Sequence, residues 1–192
     1  MVAYASQKEG VIILRSVLCC ALVLLAGWAS SHAQSPYVGQ ELRDIKALSP
    51  QEVSDYLSGK GMGLAKAAEL NGYPGPAHVL ELAGQLELTA EQRAETEALF
   101  QKMQSSAVTL GKALVEEEGA LDHLFASGSV DAASLASSLA RIGRLQGQLR
   151  QVHLEAHLEQ TALLTPQQVA KYIQLRGYAA SSGHGRHGDR HH

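Results

Sequence analysis

Between residues 90 and 163 the apolar side chains keep a helical step with one interruption. Leu99, Met103, Ala107, Leu110, Leu114, Leu121 and Phe125 lie mostly three or four residues apart. After "SGS" at 127–129 the stripe resumes with Leu135, Leu139, Ile142, Leu145, Leu149, Val152 and Ala156. No stretch alternates with the period of a strand. The pattern therefore predicts an all-α chain built on a long antiparallel helical hairpin. Each arm runs about 35 residues, or roughly 50 Å, and Ser129 is positioned to cap the second. Aromatic residues make up only 5% of the chain, and a thin hairpin buries little by itself. Its exposed apolar seam is expected to meet a second copy, giving a homodimer, or a client. Gly111, Gly143 and Gly147 interrupt the arms, at a cost of about 1 kcal/mol each relative to Ala. With the bend near Gly128, position 111 falls opposite about 145. The glycines then either allow close backbone approach there or are local flexibility without purpose.

Short helices are expected at both ends of the hairpin. In "LSPQEV", 48–53, Ser49 can cap, Pro50 suits the first helical position and Glu52 completes a capping box, with Leu48 and Val53 as staple. That helix should reach about Ser58. "LAKAAEL" reads as another, "NGYPGP" as a turn, and Pro76 as the start of a third through "AHVLELAGQL". The segment "LTAEQ", 88–92, returns as "LTPQQ", 164–168. Thr89 with Gln92, and Thr165 with Gln168, form two more capping boxes. Capping does not account for Leu88 and Leu164 before both, or for two boxes at one end of a hairpin.

The ends divide the chain further. Residues 1–33 read as a secretory signal, with Lys8 and Arg15 ahead of or within an apolar run and "SHA" before a cut after Ala33. An uncleaved anchor is the rival reading; both place the rest outside the cytoplasmic membrane, in a bacterial periplasm. Residues 34–75 form an N-terminal arm, 76–178 the hairpin domain, and 179–192 a disordered Gly/Ser/His-rich tail. Cys19 and Cys20 lie in the signal, so the processed chain has neither disulfides nor thiolate metal sites. The formal net charge is −3, and losing Lys8, Arg15 and Glu9 leaves −4. There is no basic stripe for nucleic acid. No phosphate loop, cysteine nucleophile or serine elbow marks an enzyme, and no small-molecule substrate is expected.

Two such pentads bracketing a helical hairpin behind a signal peptide resemble the LTXXQ family of periplasmic proteins, over about 76–175. Its members include Spy- and CpxP-like stress proteins and ZraP- and CnrX-like metal-associated proteins. The resemblance implies a hooked, dimeric helical hairpin. It implies one of two jobs: an ATP-independent holdase for unfolded periplasmic proteins, which needs no metal, or a transition-metal sensor or resistance accessory binding Zn, Ni, Co or Cu. Regulation by docking on a membrane sensor protein is a third.

His153 and His157 stand one turn apart, so their imidazoles share a helix face and suit zinc, nickel or copper. Metal-sensing relatives carry a His and a further His or Met in this region. Hairpin register places Met103 near His153 and Leu99 near His157. His78 is a candidate third ligand, with Glu95 or Glu97 as oxygen donor. The alternative is that these histidines are half-buried polar residues flanking the stripe. His123 lies too far along the helix to join them. In the tail, His184, His187, His191 and His192 can collect metal weakly. For the holdase, "EALFQKM", "LVEEEGALDHLF" and the arginines of "ARIGRLQGQLRQ" would supply apolar and charged client contacts.

Overall fold

A computed structural model describes residues 35–178. The expected signal segment, 1–33, and the His-rich tail, 179–192, lie outside those residues. The chain divides into two units at Val38. Of the first, only 35–38 are described, as a turn closed by the Val38 N–H on the Ser35 carbonyl. The second unit holds every helix among the described residues. A short 3-10 turn, Gln40–Leu42, precedes α1 (Pro50–Leu57), α2 (Lys66–Glu69), α3 (Pro76–Glu81), α4 (Ala90–Ala126), α5 (Ala132–Leu163) and α6 (Pro166–Leu175). No strand occurs among the described residues. The architecture is all-α, with α4 and α5 packed as the long hairpin.

The predicted register holds. Gln160 on α5 donates to the Thr96 hydroxyl on α4 at 3.1 Å, and Arg141 meets Glu117 at 2.8 Å. The bend is tighter in detail than the sequence suggests. Gly128 takes a positive φ of 67°, and the chain reaches Asp131 before it turns helical. The Asp131 carboxylate, not the Ser129 hydroxyl, caps α5, accepting from the Ser134 N–H at 2.7 Å. Ser129 bonds Ser127 instead. A carboxylate beside exposed helical N–H groups is favoured over a hydroxyl by the helix dipole. The Ser134 backbone and side-chain bonds hold the Asp131 carboxyl below the usual aspartate value. Its contribution is present above the unfolded value and is lost as pH falls through the lower folded one. Asp131→Asn should therefore keep α5 capped while flattening the acid limb of a plot of thermal midpoint against pH; an unchanged limb would remove Asp131 from it.

The seam is less apolar than the stripe predicts. Ala107, Leu114, Ile142 and Leu149 form one buried cluster. Toward the open end the polar Thr96, His153, His157 and Gln160 are buried alongside Leu99 and Ala156, and Ser138 is buried nearer the bend. Phe125 and Leu139 belong to the predicted stripe but stand 58% and 52% exposed. An ideal 3.6-residue turn drifts off a fixed 3- or 4-residue step, which carries both side chains off the buried seam, although Lys46 and Ala47 of the arm line a cavity beside Phe125.

The N-terminal arm wraps the hairpin. Tyr56 and Leu64 pack against the central cluster, and α1 lies on α4. Gly111 makes that approach possible, since a Cβ there would strike the Tyr56 carbonyl oxygen, with its carbon at 2.8 Å. The expected close contact is thus real at Gly111 but is made with the arm. Gly143 and Gly147 have nothing within 4 Å of a built Cβ. Part of the seam expected to meet another copy is covered by the chain itself. The predicted helix through Leu86 stops at Glu81; the chain turns on to Leu86 and Glu87, which takes a positive φ of 54°.

The repeated pentads meet at the open end of the hairpin. Both capping boxes form as expected. Beyond capping, the Gln92 and Gln168 side chains pair reciprocally, each Nε2 donating to the other's Oε1 at 2.9 Å. The remaining donors reach main-chain oxygens, Gln92 to Leu163 and Gln168 to Leu86. Each Oε1 also accepts the N–H of its own cap threonine. A glutamate could complete a capping box but could not donate to carbonyls, which explains glutamine in both pentads. Beneath the clasp Val79, Leu86, Leu164 and Tyr172 form a second core, with Leu88 and Val169 against it. The two leucines of the pentads therefore pack under the amide pair. Gln168→Ala strips four hydrogen bonds and leaves the Leu86 carbonyl without its donor. It should cost about 2 kcal/mol in urea denaturation, against about 1 for loss of a cap alone.

Candidate metal site

Beside the clasp, a cavity of about 650 Å³ opens between the arm, α3 and the hairpin; His78, Met103, His153 and His157 all line it, with Glu69 and Glu81. The one-turn spacing on α5 aims both imidazoles of that helix inward, and the register brings Met103 of α4 opposite. The structure thus brings together the three histidines expected from the sequence and the methionine. Glu95 and Glu97 are exposed on α4 and do not line the cavity; acidic lining comes instead from α2 and α3. Exposed on the hairpin far from this end, His123 stays apart as expected. The tail histidines His184, His187, His191 and His192 lie outside the described residues.

The two α5 histidines differ in their surroundings. His157 Nδ1 lies 2.7 Å from the Tyr73 carbonyl oxygen. A carbonyl only accepts, so Nδ1 carries the proton, and in the neutral ring Nε2 keeps a lone pair. This is the outer-shell arrangement that fixes tautomer and ring orientation in metal-ligating histidines. Gly75 leaves the room: a Cβ there would sit 2.8 Å from both His157 Cε1 and Nε2. His153 is 3% exposed, and its Nε2 is buried with no hydrogen-bond partner. Among the described residues, the only other such atom is Gln160 Oε1. Burial, and then the neighbouring His157, push the His153 pKa below the ordinary value, which favours the neutral, ligand-competent ring. An orphaned buried nitrogen costs about 1–3 kcal/mol, so its retention beside a second oriented imidazole fits a metal ion. His78 is at the rim, more exposed, with Nδ1 3.0 Å from Glu81.

Glu69 closes the back of the site. Its carboxylate accepts from the Tyr172 hydroxyl at 2.8 and 2.9 Å, from Arg176 Nε at 3.1 Å and from the Tyr178 hydroxyl at 3.0 Å. It also lies 3.9 Å from His157 Nδ1. Burial and the Glu69 hydrogen bonds push the Tyr172 phenol far above its usual value, so it stays a donor. Sequence reasoning missed Glu69, Tyr73 and Gly75. "NGYPGP" signalled only a turn, although a glycine between two prolines marks a backbone held rigidly where a side chain would not fit.

Among the described residues no group of three or more His, Cys, Asp or Glu side chains stands close enough to hold a metal ion. The folded part therefore offers two imidazole nitrogens and a thioether sulfur, with positions left open. Such a nitrogen–sulfur set suits late first-row transition ions rather than magnesium or calcium.

None of the described helices is long and apolar enough to cross a membrane. Neither a curated protein nor a solved structure matches the chain. A family model described as heavy-metal resistance matches residues 63–171. That span begins ahead of α2, so the family region takes in part of the arm left outside the sequence resemblance, together with the turn that holds His157. With a match over more than half its length, both pentads and the histidine-lined cavity inside it, the chain belongs to the heavy-metal resistance family of LTXXQ-type helical proteins.

Proposed function

We propose that the protein binds a late first-row transition metal ion in the bacterial periplasm and serves metal resistance or sensing. His153 Nε2 and His157 Nε2 are the primary ligands and Met103 is a soft third donor, with His78 at the rim of the cavity rather than in the ligand set. The observation that carries this reading is the unpartnered buried Nε2 of His153 beside a His157 ring oriented by the Tyr73 carbonyl. The role is binding rather than catalysis, and an open coordination sphere suits an ion that must exchange. Titration calorimetry with zinc, copper and nickel on a chain carrying His184→Ala, His187→Ala, His191→Ala and His192→Ala tests it. About one ion per chain, lost in His153→Leu, is expected; no binding by that chain would overturn it.

A second reading, an ATP-independent holdase for unfolded proteins, draws on the exposed Phe125 and Leu139 near the bend. Such side chains give a loose apolar grip, and a homodimer would double it. Suppression of client aggregation in the presence of chelator, weakened by Phe125→Ser, is the expected result. Equal suppression by the variant would remove Phe125 from that role.

A further inference from the structure

Both methionines that follow Met1, Met62 and Met103, line the same cavity as His153 and His157. Met62 stands where a methionine is out of place. It belongs to the loop "SGKGMG", 58–63, where the Leu64 N–H donates to the Gly61 carbonyl at 2.7 Å. The two residues enclosed, Met62 and Gly63, take positive φ of 45° and 76°. Turns of that kind are dominated by Gly, Asn and Asp, because a larger side chain is strained there. Among the described residues the only other non-glycine held this way is Glu87. Burial does not account for Met62, which is 37% exposed. The loop is nevertheless fixed in place. A Cβ on Gly59 would lie 3.0 Å from the Gln104 carbonyl oxygen, so the loop sits on α4 beside the residue that follows Met103. Lys60 pairs with Asp55 at 2.7 Å, and Leu64 packs on the central cluster. A strained, exposed methionine on an anchored loop, lining a cavity with the other thioether, is the kind of outlier that marks a functional site.

We infer that Met62 is a further ligand and that the site is built for monovalent copper, held by the imidazoles of His153 and His157 and the thioethers of Met62 and Met103. This deepens the metal-binding reading and rests on it. Thioethers are soft donors that favour Cu(I), whereas zinc takes thiolate, imidazole and carboxylate. The carboxylates of the cavity are already engaged. Glu69 accepts from Tyr172, Arg176 and Tyr178, and Glu81 lies 3.0 Å from His78 Nδ1. No cysteine occurs in 35–178, so the proposed ligands are all neutral. An ion among them keeps its full charge, with Lys60 and Lys66 lining the same cavity. The cost of desolvating an ion rises with the square of its charge, so a neutral set penalises a divalent ion more than a monovalent one. Methionine has three rotatable bonds, which let Met62 close onto an ion and release it. Zinc and nickel would use the two imidazoles and draw little from the sulfurs.

The test takes as parent the full chain with His184→Ala, His187→Ala, His191→Ala and His192→Ala, so that no tail imidazole contributes. Cu(I) affinity is read without oxygen against a chromophoric chelator, and zinc affinity in a parallel competition. Met62→Leu and Met62→Leu/Met103→Leu keep the apolar volume while removing sulfur. Losing even an outer-shell partner costs a metal site about 10- to 100-fold, so each lost sulfur should weaken Cu(I) by about tenfold or more. Zinc affinity is expected to stay unchanged. X-ray absorption at copper should show both sulfurs in the parent and one alone in Met62→Leu. Unchanged Cu(I) affinity and sulfur signal in Met62→Leu would overturn the thioether site while leaving the histidine site standing. Equal weakening of Cu(I) and zinc would make Met62 a shaper of the cavity rather than a ligand, and would overturn the proposal too. A parent that binds neither ion would overturn the metal-binding reading and this one together.

Discussion

Gly111→Ala is expected to destabilise the protein by about 1–2 kcal/mol, while Gly143→Ala and Gly147→Ala each stabilise it by up to about 1 kcal/mol. All three lie inside long helices, where Ala is favoured over Gly by about 1 kcal/mol. Propensity alone would predict gains at all three. Packing reverses the sign at one. A Cβ on Gly111 meets the Tyr56 carbonyl carbon at 2.8 Å and its Cα at 3.2 Å. These are backbone atoms of α1, which cannot swing away as a side-chain end can. Overfilling a packed contact typically costs 1–3 kcal/mol, about the size needed to outweigh the propensity gain. Because α1 is held by Ser49 and Glu52 at its start and by Tyr56 in the central cluster, the methyl must lift the whole helix. Urea denaturation of the three variants reads the difference directly. A stabilised Gly111→Ala would mean that the arm does not lie on the hairpin at Tyr56.

His153→Leu should do two opposite things. In metal-free protein it should raise stability by about 1 kcal/mol, since leucine fills similar volume without a buried, unpartnered nitrogen. In the presence of metal it should abolish the stabilisation that the ion confers. An ion at a hundred times its dissociation constant stabilises a folded protein by about 2.7 kcal/mol, so the variant ends less stable than the parent once metal is added. His157→Leu should differ. It strands the Tyr73 carbonyl that Nδ1 now serves, and should lower stability both without and with metal. Thermal melts of the two variants, each with chelator and with zinc, separate ligand from scaffold. If His153→Leu loses stability without metal and keeps the metal-induced gain, His153 is structural.

The long helices, the bend, the register and both capping boxes were legible because each follows from local rules: apolar spacing, threonine caps and a single glycine-rich break. The clasp was visible only as a repetition. That Gln92 and Gln168 bond each other depends on two helix starts arriving side by side, which spacing alone does not encode. The seam was misread at Phe125 and Leu139, where a fixed step predicted burial and the drift of the helical turn leaves both exposed. The candidate site was legible in its histidines, because i and i+4 positions on a helix must share a face. Its supports were not. Glu69, Tyr73 and Gly75 come from a loop and a one-turn helix whose path is set by packing against α5 and α6, and they touch His157 from more than eighty residues away in the chain.

In the proposed metal site His153 and His157 present Nε2 lone pairs into one cavity. Two-bond proton–nitrogen correlation NMR of the histidine side chains, before and after one equivalent of zinc, tests it most directly. His157 is expected to be protonated at Nδ1 in the metal-free protein, and both Nε2 resonances are expected to move to metal-bound positions together as zinc is added. A His157 ring protonated at Nε2, or Nε2 signals of both residues left unmoved by zinc, would contradict it.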